Sequence, residues 1–146
     1  MSPLAKPGTS ASGQPGESSP RDRSMLRVLL VDDHLLVRCR TRQQLEDIPN
    51  LQVVGEAVDG FEAVALARTL SPDLVLMDIS MPGLDGLEAT RRILAELPFV
   101  RVIILSASTE ESCRRSALEA GAHGYLAKGE NTQTLAAAIR KIFGDP

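Results

Sequence analysis

Tryptophan is absent from this 146-residue chain, tyrosine occurs once and phenylalanine three times, so only 3% of its residues are aromatic. Any core must be built from aliphatic side chains, and a 43% hydrophobic content over this length suffices for one domain. Basic residues are not in excess: 16 Lys and Arg face 19 Asp and Glu, a net charge of −3. That balance excludes the electrostatic footprint of a nucleic-acid binder. The two cysteines, Cys39 and Cys113, stand at no metal-ligand or redox spacing, either to each other or to His34 and His123. They read as free packing thiols of a reducing compartment. No apolar run approaches the ~18 residues of a membrane span, and the N-terminus lacks the apolar core of a signal peptide. The expectation is a cytoplasmic protein without membrane attachment.

Residues 1–24 contain four Pro, three Gly and six Ser against four apolar residues. Such a segment cannot offset its ordering entropy by burial, so a disordered tail or an expression leader is expected there. The folded domain is expected over residues 25–146. Within it, short apolar runs alternate with helical patterns. The runs are Met25–Val31, Leu51–Ala57, Leu74–Met77, Val102–Leu105 and Gly124–Ala127. The first helix should bury Leu35, Leu36, Cys39, Leu45 and Ile48, and the second Phe61, Val64, Ala65 and Leu66 behind an Asp59/Glu62 capping box. A third helix over Leu87–Leu97 should turn Ile93, Leu94 and Leu97 toward the sheet. Ser108 with Glu111 suggests a second capping box opening a helix through Ala120, with Gly121 at its left-handed end. Asn131 should cap a last helix with Leu135, Ala138, Ile139 and Ile142 on one face. Five β-then-α units predict an α/β fold, a parallel sheet covered by helices on both sides.

Polar residues end these runs: Asp32 and Asp33 the first, Asp78 the third, Ser106 the fourth, Lys128 the fifth. In a parallel sheet the carboxyl ends of the strands converge on one edge, where ligands collect. Each residue has a plain structural alternative: Asp78 a turn opener, Ser106 a helix-entry residue, Lys128 a solvated charge. Together they are harder to dismiss. Three carboxylates in close approach repel unless a cation joins them or protons stay on, and an oxygen-rich set with room for water suits Mg²⁺ better than zinc or a thiophilic metal. A carboxylate beside such an ion and a lysine is equipped to accept a phosphoryl group. Asp78 would be the nucleophile, Lys128 would neutralise charge, and the Ser106 hydroxyl would donate to a phosphoryl oxygen.

Four motifs, VDDH with Asp32 and Asp33, LVLMDISMPGLDGLEA around Asp78, VIILSA with Ser106 and GYLAK with Lys128, resemble the receiver domain of bacterial two-component response regulators. The likeness covers about Leu26 to Phe143. It implies a flavodoxin-like, doubly wound (βα)5 fold with strand order 2-1-3-4-5. It further implies that Asp78 takes phosphate from the phosphohistidine of a sensor histidine kinase. Mg²⁺ would be held by Asp33, Asp78 and the main-chain carbonyl of Ser80, with Asp32 assisting through water. Ser106 and Tyr125 are similar to the family's switch pair, in which the hydroxyl moves toward the phosphoryl group and the ring turns inward. The plain alternative for Tyr125 is a strand-edge packing residue. The loop after Ser106, the following helix and the strand around Tyr125 would form the responding element, facing partners or a second copy in a homodimer.

DDHLLVR, YLAKGE and TLAAAIRKI look like the NarL/FixJ subfamily, whose members usually carry a C-terminal helix-turn-helix domain. On that basis DNA would be reached only through an output domain absent from this chain, and the domain would be a self-phosphorylating acceptor with autodephosphorylation rather than a turnover enzyme. The alternative is a stand-alone receiver acting as a phosphorelay or protein-interaction module. A metal-dependent phosphohydrolase shares the aspartate and the ion but needs an acid/base carboxylate where Ser80 stands. A flavin module would need phosphate-binding amides where VDDH places carboxylates.

Overall fold

Five stretches of four to seven residues, most of them apolar, become the strands, and side-chain caps open three of the helices. The computed structural model describes residues 25–79, 81, 83–108 and 110–144. The tail expected over residues 1–24 and the expected metal-binding carbonyl of Ser80 lie outside the described residues. The elements alternate strictly: β1 (Leu26–Val31), α1 (Leu35–Glu46), β2 (Leu51–Ala57), α2 (Gly60–Leu70), β3 (Leu74–Asp78), α3 (Gly86–Glu96), β4 (Arg101–Ser106), α4 (Glu111–Glu119), β5 (Gly124–Ala127) and α5 (Thr132–Phe143). The five strands are parallel, in the order β2-β1-β3-β4-β5. This is the flavodoxin-like doubly wound sheet that the alternating pattern and the motifs predict.

Strand alternation divides the core in two. Leu29, Val31, Val75, Met77, Val102 and Ile104 face α2, α3 and α4, meeting Ala63, Ala67, Ala89, Ile93 and Ala117. Val28, Leu30, Leu74, Leu76, Ile103 and Leu105 face the other way, onto Leu45 of α1 and Leu135 and Ile139 of α5. Every residue of β3 is buried, as expected for the central strand of a sheet covered on both faces. Among the described residues no helix is long and apolar enough to cross a membrane.

Side-chain caps form where expected on α2 and α5. Asp59 accepts from the Glu62 N–H at 2.8 Å, and Asn131 from the Thr134 N–H at 2.8 Å. Asp85 caps α3 in the same way, accepting from the Glu88 N–H at 2.9 Å. The expected capping box on α4 does not form. That helix starts at Glu111 behind Glu110, which makes no side-chain cap bond, and the Ser108 hydroxyl instead accepts the Glu110 N–H in a local turn.

Two helix faces also differ from expectation. Leu35, Leu36 and Cys39 are exposed, Leu36 at 82%, whereas Thr41 and Leu45 are buried. The first turn of α1 follows the carboxyl end of β1 closely, and the half-buried residues there are Val37 and Arg38 rather than Leu35 and Leu36. In α2, Phe61 and Ala65 are exposed and the buried positions are Gly60, Ala63, Val64 and Ala67. Small side chains bring this helix close to its neighbours, and at Gly60 a Cβ would lie 2.2 Å from the Leu84 carbonyl oxygen.

Candidate functional site

Register places the polar strand ends side by side. Val31 pairs with Met77, Asp78 with Leu105, and Ser106 with Ala127, so the residues following β1 and β5 and those ending β3 and β4 share one edge. Backbone bonds extend this order past the strands: the Asp32 N–H reaches the Ala57 carbonyl at 3.1 Å and the Lys128 N–H the Ser106 carbonyl at 2.7 Å.

Asp78 is fully buried. Lys128 Nζ lies 3.0 Å from its Oδ1 and 3.4 Å from Asp32 Oδ2, so one ammonium bridges carboxylates from two strands. Burial pushes the lysine toward its neutral form, but the hydrogen bond and charge of Asp78, joined by Asp32, win, and its pKa is raised above the ordinary value. The amine stays charged across the physiological range. Asp32 is 2% exposed, and its Oδ1 accepts the His34 N–H at 2.8 Å, which fixes the turn into α1. Arg38 buttresses the same turn, donating to the Asp32 carbonyl at 2.8 Å and to Glu56 Oε1 at 2.8 Å. Arg42 also pairs with Glu56. Burial opposes ionisation of Glu56, but hydrogen bonds from the two guanidiniums more than offset it and lower its pKa.

Ligand atoms of Asp32, Asp33, His34 and Asp78 all lie within 4.8 Å of one another. The buried Asp33 Oδ1 accepts no hydrogen bond, although His34 Nδ1 approaches it to 3.1 Å. Three carboxylates and one ammonium leave negative charge at the edge, and an acceptor oxygen without a donor is what a cation would satisfy. The acidic cluster could therefore bind a metal.

Ser106 is 2% exposed at the end of β4, and its hydroxyl accepts the Ser108 N–H at 3.0 Å. Tyr125, half-buried on β5, donates to the Ser108 carbonyl at 2.7 Å. The two residues expected to form a switch thus meet through the peptide groups of a third. Asp32, Asp33, Asp78 and Lys128 come together as the sequence suggests, with Ser106 at the end of the neighbouring strand.

Sequence reasoning missed three participants. His34 adds a nitrogen to the cluster, and its position directly after the acid pair was the available signal. Arg38 braces the acid turn, but nothing in its spacing marks a half-buried guanidinium. Gly86 reads only as a breaker, yet a Cβ there would sit 2.2 Å from the Asp78 carbonyl oxygen, so α3 can start against the end of β3 only without a side chain.

The model of the response regulator receiver domain matches residues 28–140. Response regulator UvrY of Escherichia coli strain K12 is 50% identical over 119 residues, which cover 82% of this chain and 55% of that protein. The chain thus spans about half the length of this curated relative. Among solved structures, a LuxR-family two-component response regulator from Aurantimonas sp. SI85-9A1 superposes with a TM-score of 0.77 at 40% identity, over 81% of this chain and 84% of that one. A chain of the CheX-CheY-BeF3-Mg+2 complex from Borrelia burgdorferi also gives a TM-score of 0.77, at 27% identity, over 81% of this chain and 89% of that one.

Proposed function

Because the chain belongs to the response regulator receiver domain family, in its NarL/FixJ-like branch, we propose that it is a phospho-accepting switch whose acceptor is Asp78. The observation that carries this reading is the fully buried Asp78 carboxylate, held 3.0 Å from the Lys128 ammonium inside a cluster of acids. An Asp78 oxygen attacks the phosphorus of a sensor kinase's phosphohistidine; the P–O bond forms as the P–N bond breaks, and the electron pair returns to the imidazole. Lys128 holds its proton and its charge beside the incoming group. Asp33 and Asp78, with Asp32 behind them and the Ser80 carbonyl, would hold Mg²⁺, which supplies charge neutralisation on the phosphoryl oxygens. The fit rests on the all-oxygen donors of these residues and on the unsatisfied Asp33 Oδ1. The likeness to a protein solved in a complex named for BeF3 and Mg²⁺ supports the same chemistry.

Phosphorylation adds about two negative charges and strong acceptor oxygens at this edge. The Ser106 hydroxyl then donates to a phosphoryl oxygen; rotating to do so carries its oxygen away from the Ser108 N–H and loosens the loop residue whose carbonyl Tyr125 holds. The surface of α4 and β5 carries the change to a partner or to a second copy. The family's output suggests control of transcription through a helix-turn-helix domain beyond this chain, in the cytoplasm, with the domain a stoichiometric acceptor rather than a turnover enzyme.

The test is labelling by acetyl phosphate, or binding of beryllofluoride, in wild type and Asp78→Asn, with Mg²⁺ and with EDTA. Modification that needs both Asp78 and Mg²⁺ is expected. Equal labelling of Asp78→Asn would end the acceptor assignment.

A further inference from the structure

His34 is placed where its neighbours give it a task. Its backbone is fixed from both sides: its N–H is bound by Asp32 Oδ1 at 2.8 Å, and its carbonyl accepts the Arg38 N–H at 2.9 Å in the first turn of α1. The side chain is 65% exposed, yet Nδ1 lies 3.1 Å from Asp33 Oδ1 and 3.5 Å from Asp32 Oδ1. Here the fixed turn places it over the cation site read from Asp32, Asp33 and Asp78, within 4.8 Å of a ligand oxygen from each.

One nitrogen changes which ions such a site prefers. Carboxylates, carbonyls and water suit Mg²⁺, Ca²⁺ and Mn²⁺, whereas imidazole suits zinc, copper, nickel and iron; first-row affinities follow the Irving–Williams order at any N, O or S site, and an imidazole adds a ligand of the kind the later ions favour. We propose that His34 is a fourth ligand-bearing residue at the cation site of Asp32, Asp33 and Asp78, so that this chain binds borderline divalent ions such as Ni²⁺, Co²⁺ and Zn²⁺ more tightly than Mg²⁺. The inference rests on the phospho-acceptor reading for the existence of the cation site, and adds to it a stronger preference for imidazole-favouring ions than the carboxylates alone give. Neither cysteine takes part, because Cys39 is exposed on α1 and Cys113 lies on α4, and neither belongs to the cluster.

The test uses the full chain and metal salts alone. Dissociation constants for Mg²⁺ and Ni²⁺ are measured by calorimetry in wild type, His34→Gln and, as a control for the only other histidine, His123→Gln. Co²⁺ absorption and the nitrogen shifts of the imidazoles under Zn²⁺ supply a readout independent of any phosphoryl transfer. His34→Gln is expected to weaken Ni²⁺ by at least tenfold, roughly the lower end of the loss seen when even a supporting residue of a metal site is removed. Mg²⁺ binding should change by less than about twofold, because that ion loses no preferred ligand. The His34 ring, and not that of His123, should shift with Zn²⁺. Unchanged Ni²⁺ affinity in His34→Gln overturns the proposal, and so does an equal loss for Ni²⁺ and Mg²⁺, which would make His34 a prop for the turn. Mg²⁺-dependent labelling of Asp78 in the same samples separates the two readings: if it persists while Ni²⁺ ignores His34, only the present inference falls.

Discussion

Neutralising Asp33 should stabilise the metal-free protein. Its ligand oxygen lies within 4.8 Å of one from Asp32 and one from Asp78. At that separation and an effective dielectric of about 20, each like-charge pair repels by about 3.5 kcal/mol. Lys128 offsets the charge of Asp78 and Asp32 but makes no ion pair with Asp33 among the described residues. A 25% exposed side chain admits solvent that screens part of this repulsion, and His34 Nδ1 at 3.1 Å stands nearby, so a fraction of the two pair energies survives. The buried Oδ1 without a hydrogen bond adds a smaller penalty, one that an amide can relieve by turning. Asp33→Asn is therefore expected to gain about 1–3 kcal/mol in EDTA, seen as a higher urea midpoint with an unchanged slope. Adding Mg²⁺ should narrow or reverse the difference, since an ion that binds only the folded wild type stabilises it by about 2.7 kcal/mol at a hundred times its dissociation constant. A variant less stable than wild type in EDTA would refute the claim that charge at this edge is held against repulsion.

Two further outcomes follow from local geometry. Gly86→Ala would gain up to about 1 kcal/mol of helix propensity, but its Cβ would lie 2.2 Å from the Asp78 carbonyl oxygen and 2.9 Å from the Ile79 Cα. Both are backbone atoms that cannot swing away, so a net loss of about 1–3 kcal/mol in urea unfolding is expected, and a variant as stable as wild type would contradict the close approach. His123 should make stability depend on pH: burial, aided by the charge of Arg101, lowers its pKa from 6.5, and its Nδ1 accepts the Val102 N–H at 3.1 Å only while unprotonated. As pH falls below about 6.5 the unfolded chain takes up a proton that the folded one refuses, so stability is full above that value and declines through the window down to the folded pKa. His123→Gln should flatten that decline in urea midpoints measured between pH 5 and 8, and parallel curves for the two proteins would exclude the mechanism.

How much of this was legible in the sequence depends on the range of the interactions. Strands could be read because the central ones are buried on both faces and their apolar runs, such as Leu74–Met77, need no periodicity to be seen. The site could be read because parallel topology converts a strand-ending Asp, Ser or Lys into a neighbour of the others. Helix faces were read less well, since periodicity assumes that every apolar residue points inward. Leu35, Leu36 and Phe61 stay exposed around the same edge, while Arg38 takes an inward position by binding the Asp32 carbonyl and Glu56. Capping followed the local rule wherever Asp or Asn directly preceded the helix. It failed at Ser108, whose hydroxyl and carbonyl were engaged by Glu110 and Tyr125 instead.

Ser108 links the strand end that carries Ser106 to Tyr125 on β5. Its N–H is held by the Ser106 hydroxyl and its carbonyl by the Tyr125 hydroxyl, so both expected switch residues are anchored to one residue of the loop before α4. On the phospho-acceptor proposal, a phosphoryl oxygen on Asp78 would accept the Ser106 hydroxyl proton, and only a rotation of that side chain toward it would carry the Ser106 oxygen away from the Ser108 N–H. Were that bond given up, Ser108 would lose the N–H restraint on one side of its Cα, and its carbonyl bond to Tyr125 would be held from the other side only. The absence of a side-chain cap on α4 lowers the resistance further, because the helix start is held by a turn that itself includes Ser108. On the switch proposal the loop before α4 would be the part that moves, since Ser108 is held through single bonds to Ser106 and Tyr125, whereas the acid turn is braced by Arg38 and Lys128.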